Sequence, residues 1–471
     1  MTKNQKISKV SLIVLIGLTI SLLFHYLLSG PPFNLSYPFD SFLFSSSSML
    51  QQRFNDFYEY HVRLMELNPY VKLFAHFPLS AIVLYPITML SKNQSLLIFL
   101  FIFLLYQISY ISYNFKDIIE NKWHNIIVIS LFTYPFISTF ERANPEIILY
   151  IFTSLFFILF QLKKYNLSSL FLGLAIGMKL FPAVFVILFL DSKMYKHIVV
   201  SITAAIIFNC IALFILEGSF LYNIQGFLQS LSVYQYHYVE MYSGIWKGHS
   251  LWGLFKVFYH GIYELIYNES GLSQVRNFLM PYFTFVVVIF GFLCYYIVYI
   301  EKIFWKKVAL LVYAMLLFPF VSHPYKMMNL YFPMLLFFNS RPRKSDRVFS
   351  ILFALLMIPK HYVPIQWLPP YSWSGDPNDL LGWSEIVIDP LLMVMAIAII
   401  VGQGYRNNKS FSLFISFVKK LYGRGYIFSV IGIIFILIGL VLNEYLLAYL
   451  FSDDMVLEVS TKLMIWFADI I

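Results

Sequence analysis

Leu167-Ser-Ser-Leu-Phe-Leu-Gly173-Leu-Ala-Ile-Gly177-Met-Lys179-Leu-Phe-Pro182-Ala-Val-Phe-Val-Ile-Leu-Phe-Leu190 is apolar apart from two serines and one lysine. A transmembrane helix needs about 20 such residues, so the length suffices for a span. The sequence nevertheless breaks it: Pro182 ends the helix just beyond Lys179, and Gly173 and Gly177, at i and i+4, let another helix approach closely. A broken apolar segment is tolerated at membrane depth where protein buries it or a cavity hydrates it. The segment therefore reads as a re-entrant or broken helix pair inside an all-α polytopic integral membrane protein.

The composition agrees. Of 471 residues, 60% are hydrophobic and 12% charged, with a mean hydropathy of +0.73, whereas a soluble domain is about 25% charged. A soluble enzyme, a disordered chain and a fibre are excluded. The 33 Lys and Arg outnumber 24 Asp and Glu, leaving +9. In a membrane chain that excess gathers in cytoplasmic loops, so it implies a lipid bilayer as partner and no nucleic acid. Cys210 and Cys294 sit in separate apolar runs, where thiols pack as small hydrophobes. They build neither a disulfide framework nor a thiolate metal site.

The N-terminus, Met1-Thr-Lys-Asn-Gln-Lys-Ile-Ser-Lys9, precedes an apolar run reaching Ser29. That run is too long for a signal-peptide core and reads as a first span with Lys3, Lys6 and Lys9 inside. Further runs cover 77–91, 94–113, 125–140, 146–162, 197–216, 282–300, 308–321, 327–339, 347–359, 386–402 and 426–450. Lys116 with Lys122, Lys163 with Lys164, Lys193 with Lys196, Lys302 with Lys306 and Lys307, the Arg341–Arg347 cluster and Arg406 through Arg424 should all be cytoplasmic. That holds if 77–91, interrupted by Pro86, lies in the outer interface and 167–190 enters from the cytoplasm and returns. The expected fold is one membrane domain, 1–471, of about 11 to 13 transmembrane helices. Its outer face takes a first loop at 30–93, a second at 217–281, the turns around Arg142 and His323, and a loop at 359–385.

The ionisable residues hardest to explain fall mostly on that face. Asp56, Glu59, Tyr60 and Arg63 lie at i, i+3, i+4 and i+7, along one face of a helix. Glu59 and Arg63 read as an i,i+4 ion pair. Asp56 either pairs with Arg53 or acts as a general base in an aromatic-lined outer cavity. Next comes Phe140-Glu-Arg142-Ala143-Asn144-Pro-Glu146, in which Arg142 is readable as an interfacial anchor. A buried Lys179 needs an anionic partner; its plain readings are snorkelling or pairing with a carboxylate of another helix. His249, in Lys247-Gly-His249-Ser-Leu-Trp252, and His323, in Ser322-His323-Pro-Tyr-Lys326, are readable as satisfied interfacial histidines or as anion ligands. No Gly-rich phosphate loop, dinucleotide fingerprint, His-Glu-x-x-His or Gly-x-Ser-x-Gly is present, so no cytosolic nucleotide-binding fold carries the chemistry.

The order of Asp56, the Pro69-Tyr70 and Phe77-Pro78 pair, the Arg142-Ala143-Asn144 turn and Gly173-Leu-Ala-x-x-x-Lys179-x-x-Pro182 resembles polyprenyl-phosphate-dependent glycosyltransferases of the C-type superfamily. It is most similar to bacterial glycosyltransferase family 87, which includes mannosyltransferases of cell-envelope glycolipids. The Arg142–Pro182 stretch also looks like the enzyme that adds the first mannose to glycosylphosphatidylinositol anchors. There are two departures: Asp56 is followed by Phe57-Tyr58 where an Asp-x-Asp is common, and Ala143 stands where the family has glycine. The resemblance implies a C-type bundle with interfacial helices in the first outer loop. It also implies an inverting transfer of a sugar, mannose, from a polyprenyl-phosphate donor to a glycolipid or glycan acceptor, on the extracytoplasmic side of the plasma membrane. Asp56 would be the catalytic base. Lys179, Arg142, His249 and His323 would bind the donor phosphate, and Tyr60, Asn144 and Trp246 the substrates. No residue is assigned as a metal ligand and no cofactor is required; a divalent cation stays open.

Three other classes share some of these features. A secondary transporter also has broken helices, but it usually carries a repeat of its halves, and none is visible. A flippase, or a polymerase or ligase of envelope polysaccharide precursors, would share lipid and sugar partners without needing this order of Asp56, Arg142, Asn144 and Lys179. A membrane scaffold would leave those residues without roles.

Overall fold

The computed structural model describes residues 1–28, 54–65, 67–72, 74–115, 119–240, 248–267, 272–360 and 383–407. Every regular element among them is helical. Helix α1 (Lys3–Leu28) leads to the first loop, which contributes α2 (Asn55–Leu64), a 3-10 turn at Pro69–Lys72, and α3 (Pro78–Leu84), continued by a second 3-10 turn at Tyr85–Thr88. After α4 (Lys92–Asn114), the run 125–140 is not one helix but falls in two, α5 (Ile119–Leu131) and α6 (Tyr134–Arg142). Pro135 is the cause: it stands in the first turn of α6, where its missing N–H costs nothing, and it cannot continue α5. Next come α7 (Glu146–Gln161), α8 (Tyr165–Met178), a 3-10 turn at Phe181–Phe185, α9 (Val186–Asp191) and α10 (Tyr195–Ile215). The second loop is itself helical, with α11 (Phe220–Tyr234), α12 (Leu251–Tyr267) and α13 (Leu272–Val275). The remainder is α14 (Leu279–Tyr295), α15 (Phe304–Leu317), a 3-10 stretch at Pro324–Leu330, α16 (Tyr331–Phe338), α17 (Asp346–Leu356) and α18 (Trp383–Asn407).

Five helices among the described residues are long and apolar enough to cross a membrane: Lys3–Leu23, Lys92–Asn114, Tyr195–Ile215, Arg276–Ile300 and Ile386–Tyr405. The expected run 426–450 and most of the loop 359–385 lie outside the described residues. Helix α15 is apolar on nearly every side, and each residue from Trp305 to Leu317 is buried, as expected of a helix at the centre of a bundle.

The basic loops share one end of that bundle. The N-terminal amine and Lys6 both pair with Asp346, at 3.7 and 3.2 Å. Asn339 donates to the Asn114 carbonyl at 3.4 Å, Lys307 pairs with Asp191 at 2.5 Å, and Lys306 reaches Gln403 at 2.8 Å. Helix α10 leaves this end and finishes beside Glu217, whose N–H donates to the Leu67 carbonyl at 2.7 Å. At that opposite end the Phe54 N–H donates to the Glu141 carbonyl at 3.2 Å and the His249 N–H to the Ser322 carbonyl at 2.9 Å.

The broken segment connects the two ends. Its start and finish meet at His197, whose ring lies 5.9 Å from Tyr165 and 5.5 Å from Phe189. Its break lies at Lys179, where the backbone is extended (φ −152°, ψ 145°). A helix end exposes carbonyls that need donors, and here they are supplied: Asn209 Nδ2 donates to the Gly177 carbonyl at 2.9 Å and Ser80 Oγ to the Met178 carbonyl at 2.8 Å. The glycine seam is used as expected. A Cβ at Gly173 would come within 2.7 Å of Ala204 and one at Gly177 within 2.8 Å of Leu79, so α8 packs directly against α10 and α3.

Candidate functional site

The start of α2 docks on the end of α6 through the Phe54–Glu141 hydrogen bond. Immediately beyond α6, Ala143 adopts a left-handed conformation (φ 47°, ψ 45°) and reverses the chain, so that Arg142 and Asn144 both reach Asp56. Arg142 Nε donates to Asp56 Oδ2 at 2.8 Å and Arg142 Nη2 to Oδ1 at 2.6 Å, while Asn144 Nδ2 donates to Oδ2 at 2.6 Å. A bidentate guanidinium fixes a carboxylate in orientation as well as charge. Asn144 also turns the other way: its Oδ1 accepts from the Glu146 N–H at 2.9 Å, in the first turn of α7. Arg53, the alternative partner considered for Asp56, lies outside the described residues. Glu59 and Arg63 are ion-paired as expected.

Lys179 has the partner its burial demands. Its Nζ lies 2.5 Å from Glu146 Oε1, on another helix, and 6.0 Å from the centre of the Tyr325 ring. Lys179 and Glu146 line a small cleft of about 10 Å³, room for about one water, together with Tyr60, His76, Ser80 and Asn144. The Tyr60 hydroxyl and His76 Nε2 are hydrogen-bonded across it. Burial, followed by the charges of Asp56, Glu59 and Glu146, pushes the Tyr60 phenol well above its ordinary range. Burial, reinforced by Lys179, Arg63 and Lys326, holds His76 well below its own. The cleft thus joins a neutral imidazole, a protonated phenol, an ammonium and a carboxylate, next to the Asp56 carboxylate.

His323 borders this region. Its ring is edge-on to Tyr238 at 5.8 Å and near Tyr325 at 5.2 Å, with Nε2 3.5 Å from the Tyr234 hydroxyl. His249 is placed differently: it is fully buried, with Nδ1 3.1 Å from Asp389 of α18, and Lys360 holds the other oxygen of Asp389 at 2.7 Å. Trp246 lies outside the described residues. Glu146 and His76 are site residues that the sequence reading did not single out. Glu146 closed the quoted Arg142 motif, and an ionisable residue in the first turn of an apolar helix was the available signal. His76 offered only its position before Phe77-Pro78. Among the described residues no group of three or more His, Cys, Asp or Glu side chains is arranged to hold a metal ion.

The sequence model of glycosyltransferase family 87 matches residues 74–322, more than half of the chain. Arg142, Asn144, Glu146, Lys179 and His249 fall inside the match; Asp56 precedes it and His323 follows it. No curated protein and no solved structure matches the chain.

Proposed function

The chain belongs to glycosyltransferase family 87, and from that membership we propose that it moves mannose from a polyprenyl-phosphate donor to a glycolipid or glycan acceptor at the extracytoplasmic face of the plasma membrane. Family membership makes it a glycosyltransferase rather than a transporter or scaffold. The observation that carries the finer reading is the convergence of Asp56, Arg142 and Asn144, from two distant parts of the chain, beside a cleft containing Lys179. The gathering of basic loops at the other end of the bundle supports an outward-facing cleft. The meeting of Tyr165 and Phe189 at His197 supports a re-entrant 167–190 segment.

In this reading the acceptor hydroxyl binds at the Asp56 carboxylate, which takes its proton as the oxygen attacks the anomeric carbon. The bond from that carbon to the phosphate oxygen breaks, and the electron pair leaves with the polyprenyl phosphate. One displacement inverts the anomeric centre. Charge grows on the phosphate as the bond breaks, and cations fixed nearby in a low-dielectric site stabilise it. Lys179 is one such cation, and His323, at the rim, offers a ring N–H to the phosphate. Arg142 acts by orienting Asp56, and Tyr60 and Asn144 face the sugars from the cleft wall. His249, tied to Asp389 within the bundle, serves packing. Purified protein incubated with radiolabelled polyprenyl-phosphate mannose and membrane acceptor lipids should transfer label, with inversion. Transfer from a sugar nucleotide but not from the lipid donor would overturn the reading.

A further inference from the structure

Two turns at the basic end are built alike. At the end of α7, the Lys163 N–H donates to the Phe160 carbonyl at 3.1 Å and the Lys164 N–H to that of Leu159 at 2.9 Å; at the end of α9, the Lys193 N–H donates to Leu190 at 3.0 Å and the Met194 N–H to Phe189 at 2.8 Å. Both have the bonding of a Schellman termination. In both the left-handed residue is a lysine, Lys163 with φ 59° and Lys193 with φ 57°, where glycine is the unstrained choice. Each turn opens directly into another helix, α8 at Tyr165 and α10 at Tyr195, and the Tyr165–His197 ring contact holds the two N-termini together.

At the first of these turns is an open pocket of about 370 Å³ lined by Lys163, Lys164, Tyr165, Asn166, Leu167 and His197. Among the described residues none of Lys163, Lys164, Lys193 and Lys196 has an ion-pair partner, and Asp191, the acid of the second turn, is already neutralised by Lys307. Exposed cations at the N-terminus of α8 suit an oxyanion. The surface beyond the pocket is apolar. Tyr195, Val199, Ile202 and Ile206 are all exposed and, at i, i+4, i+7 and i+11, form one stripe down α10.

We propose that this pocket binds the phosphate of an anionic phospholipid, with its acyl chains lying along the α10 stripe. A soluble phosphate would use the head site alone and has no need of the stripe; a lipid uses both. The site is at the opposite end of the bundle from Asp56, and the proposal is independent of the transfer chemistry.

The test is thermal unfolding of the full chain in bilayers of phosphatidylcholine with increasing phosphatidylglycerol, compared with phosphatidylcholine plus inorganic phosphate. Phosphatidylglycerol should raise the midpoint, and Lys163→Gly/Lys164→Gln should require about tenfold more of it for the same rise. Lys163→Gly relaxes the left-handed backbone, so this variant should keep its midpoint in pure phosphatidylcholine, which separates lost binding from lost folding. Lys302→Gln/Lys344→Gln, which removes the same charge from the same end outside the pocket, should respond like the parent. The proposal is overturned by equal midpoints in the two lipids, by an equal defect in the Lys302/Lys344 variant, or by inorganic phosphate alone reproducing the full shift.

Discussion

Arg142 holds Asp56 by two parallel hydrogen bonds, Nε to Oδ2 and Nη2 to Oδ1, so the proposed base and its orienting cation come from separate parts of the chain. Asp56→Asn keeps shape but cannot accept a proton, and its amide nitrogen cannot accept from Arg142 or Asn144 as the carboxylate oxygen it replaces did. Transfer should fall about 100-fold or more, while donor affinity stays near that of the parent. Arg142→Lys retains charge without the planar fork and should cost about tenfold in turnover, each tenfold being roughly 1.4 kcal/mol. Glu59→Gln, which disturbs only the exposed pair with Arg63, should change transfer little. A larger defect in Glu59→Gln than in Asp56→Asn, at equal expression, would take the base role from Asp56.

Lys179 and Glu146 form a buried pair, so a single substitution confuses stability with function. Lys179→Met leaves the Glu146 charge buried alone, at a cost of about 3–5 kcal/mol. Adding Glu146→Gln removes that charge and should restore most of the thermal stability. Donor binding and turnover should remain down by at least about tenfold in the double variant, because the cation for the leaving phosphate is gone. Full activity in a stable double variant would make Lys179 a structural lysine only.

His76 titrates below its ordinary 6.5, chiefly because it is buried. A histidine with a depressed folded value favours folding while it is neutral in both states. That contribution is complete above 6.5 and declines as pH falls below 6.5, where the unfolded chain takes up the proton first. His76→Gln keeps a hydrogen-bonding partner for Tyr60 but does not titrate. Its unfolding midpoint should therefore fall less than that of the parent between about pH 7.5 and 5.5; equal declines would assign the acid sensitivity elsewhere.

Ala143 occupies the left-handed turn between Arg142 and Asn144, where glycine is the unstrained residue. Left-handed backbone costs an alanine about 1 kcal/mol, and a β-branched side chain much more. Ala143→Gly should preserve transfer and Ala143→Val should abolish it by misaligning both partners of Asp56. An active, well-folded Ala143→Val would show that the turn is not what aligns them.

The residues of the site were legible in the sequence because charges in an apolar chain are conspicuous, but their contacts were not. Local periodicity puts Asp56, Glu59 and Tyr60 on one helix face and pairs Glu59 with Arg63. It says nothing of Arg142, 86 residues away. The need of Lys179 for a carboxylate followed from burial alone, whereas Glu146 as that carboxylate depended on how α7 and α8 pack. Gly173 and Gly177 marked a close approach without naming α10 and α3. In 125–140 an apolar count registers one run, while Pro135 starts a second helix within it. His249 looked like His323 in sequence, and only the packing of α18 gives it Asp389.

The two ends of the bundle yield a topological prediction. Lys163, Lys193 and Arg343 should be cytoplasmic and the neighbourhoods of Asp56, Trp246 and Trp373 extracytoplasmic. Helix α8 rises from the basic end, breaks at Lys179 beside Glu146 and Ser80, and the chain returns through α9 to His197, so positions 163 and 193 should share a side although an apolar segment of spanning length separates them. Single cysteines at 163, 193, 246, 343 and 373, in a background lacking Cys210 and Cys294, can be challenged with an impermeant maleimide on intact cells and again after permeabilisation. Positions 246 and 373 should react in both conditions, and 163, 193 and 343 only after permeabilisation. Reaction at 193 on intact cells, with 163 protected, would mean that 167–190 crosses the membrane once, and would turn the loops that follow to the other side.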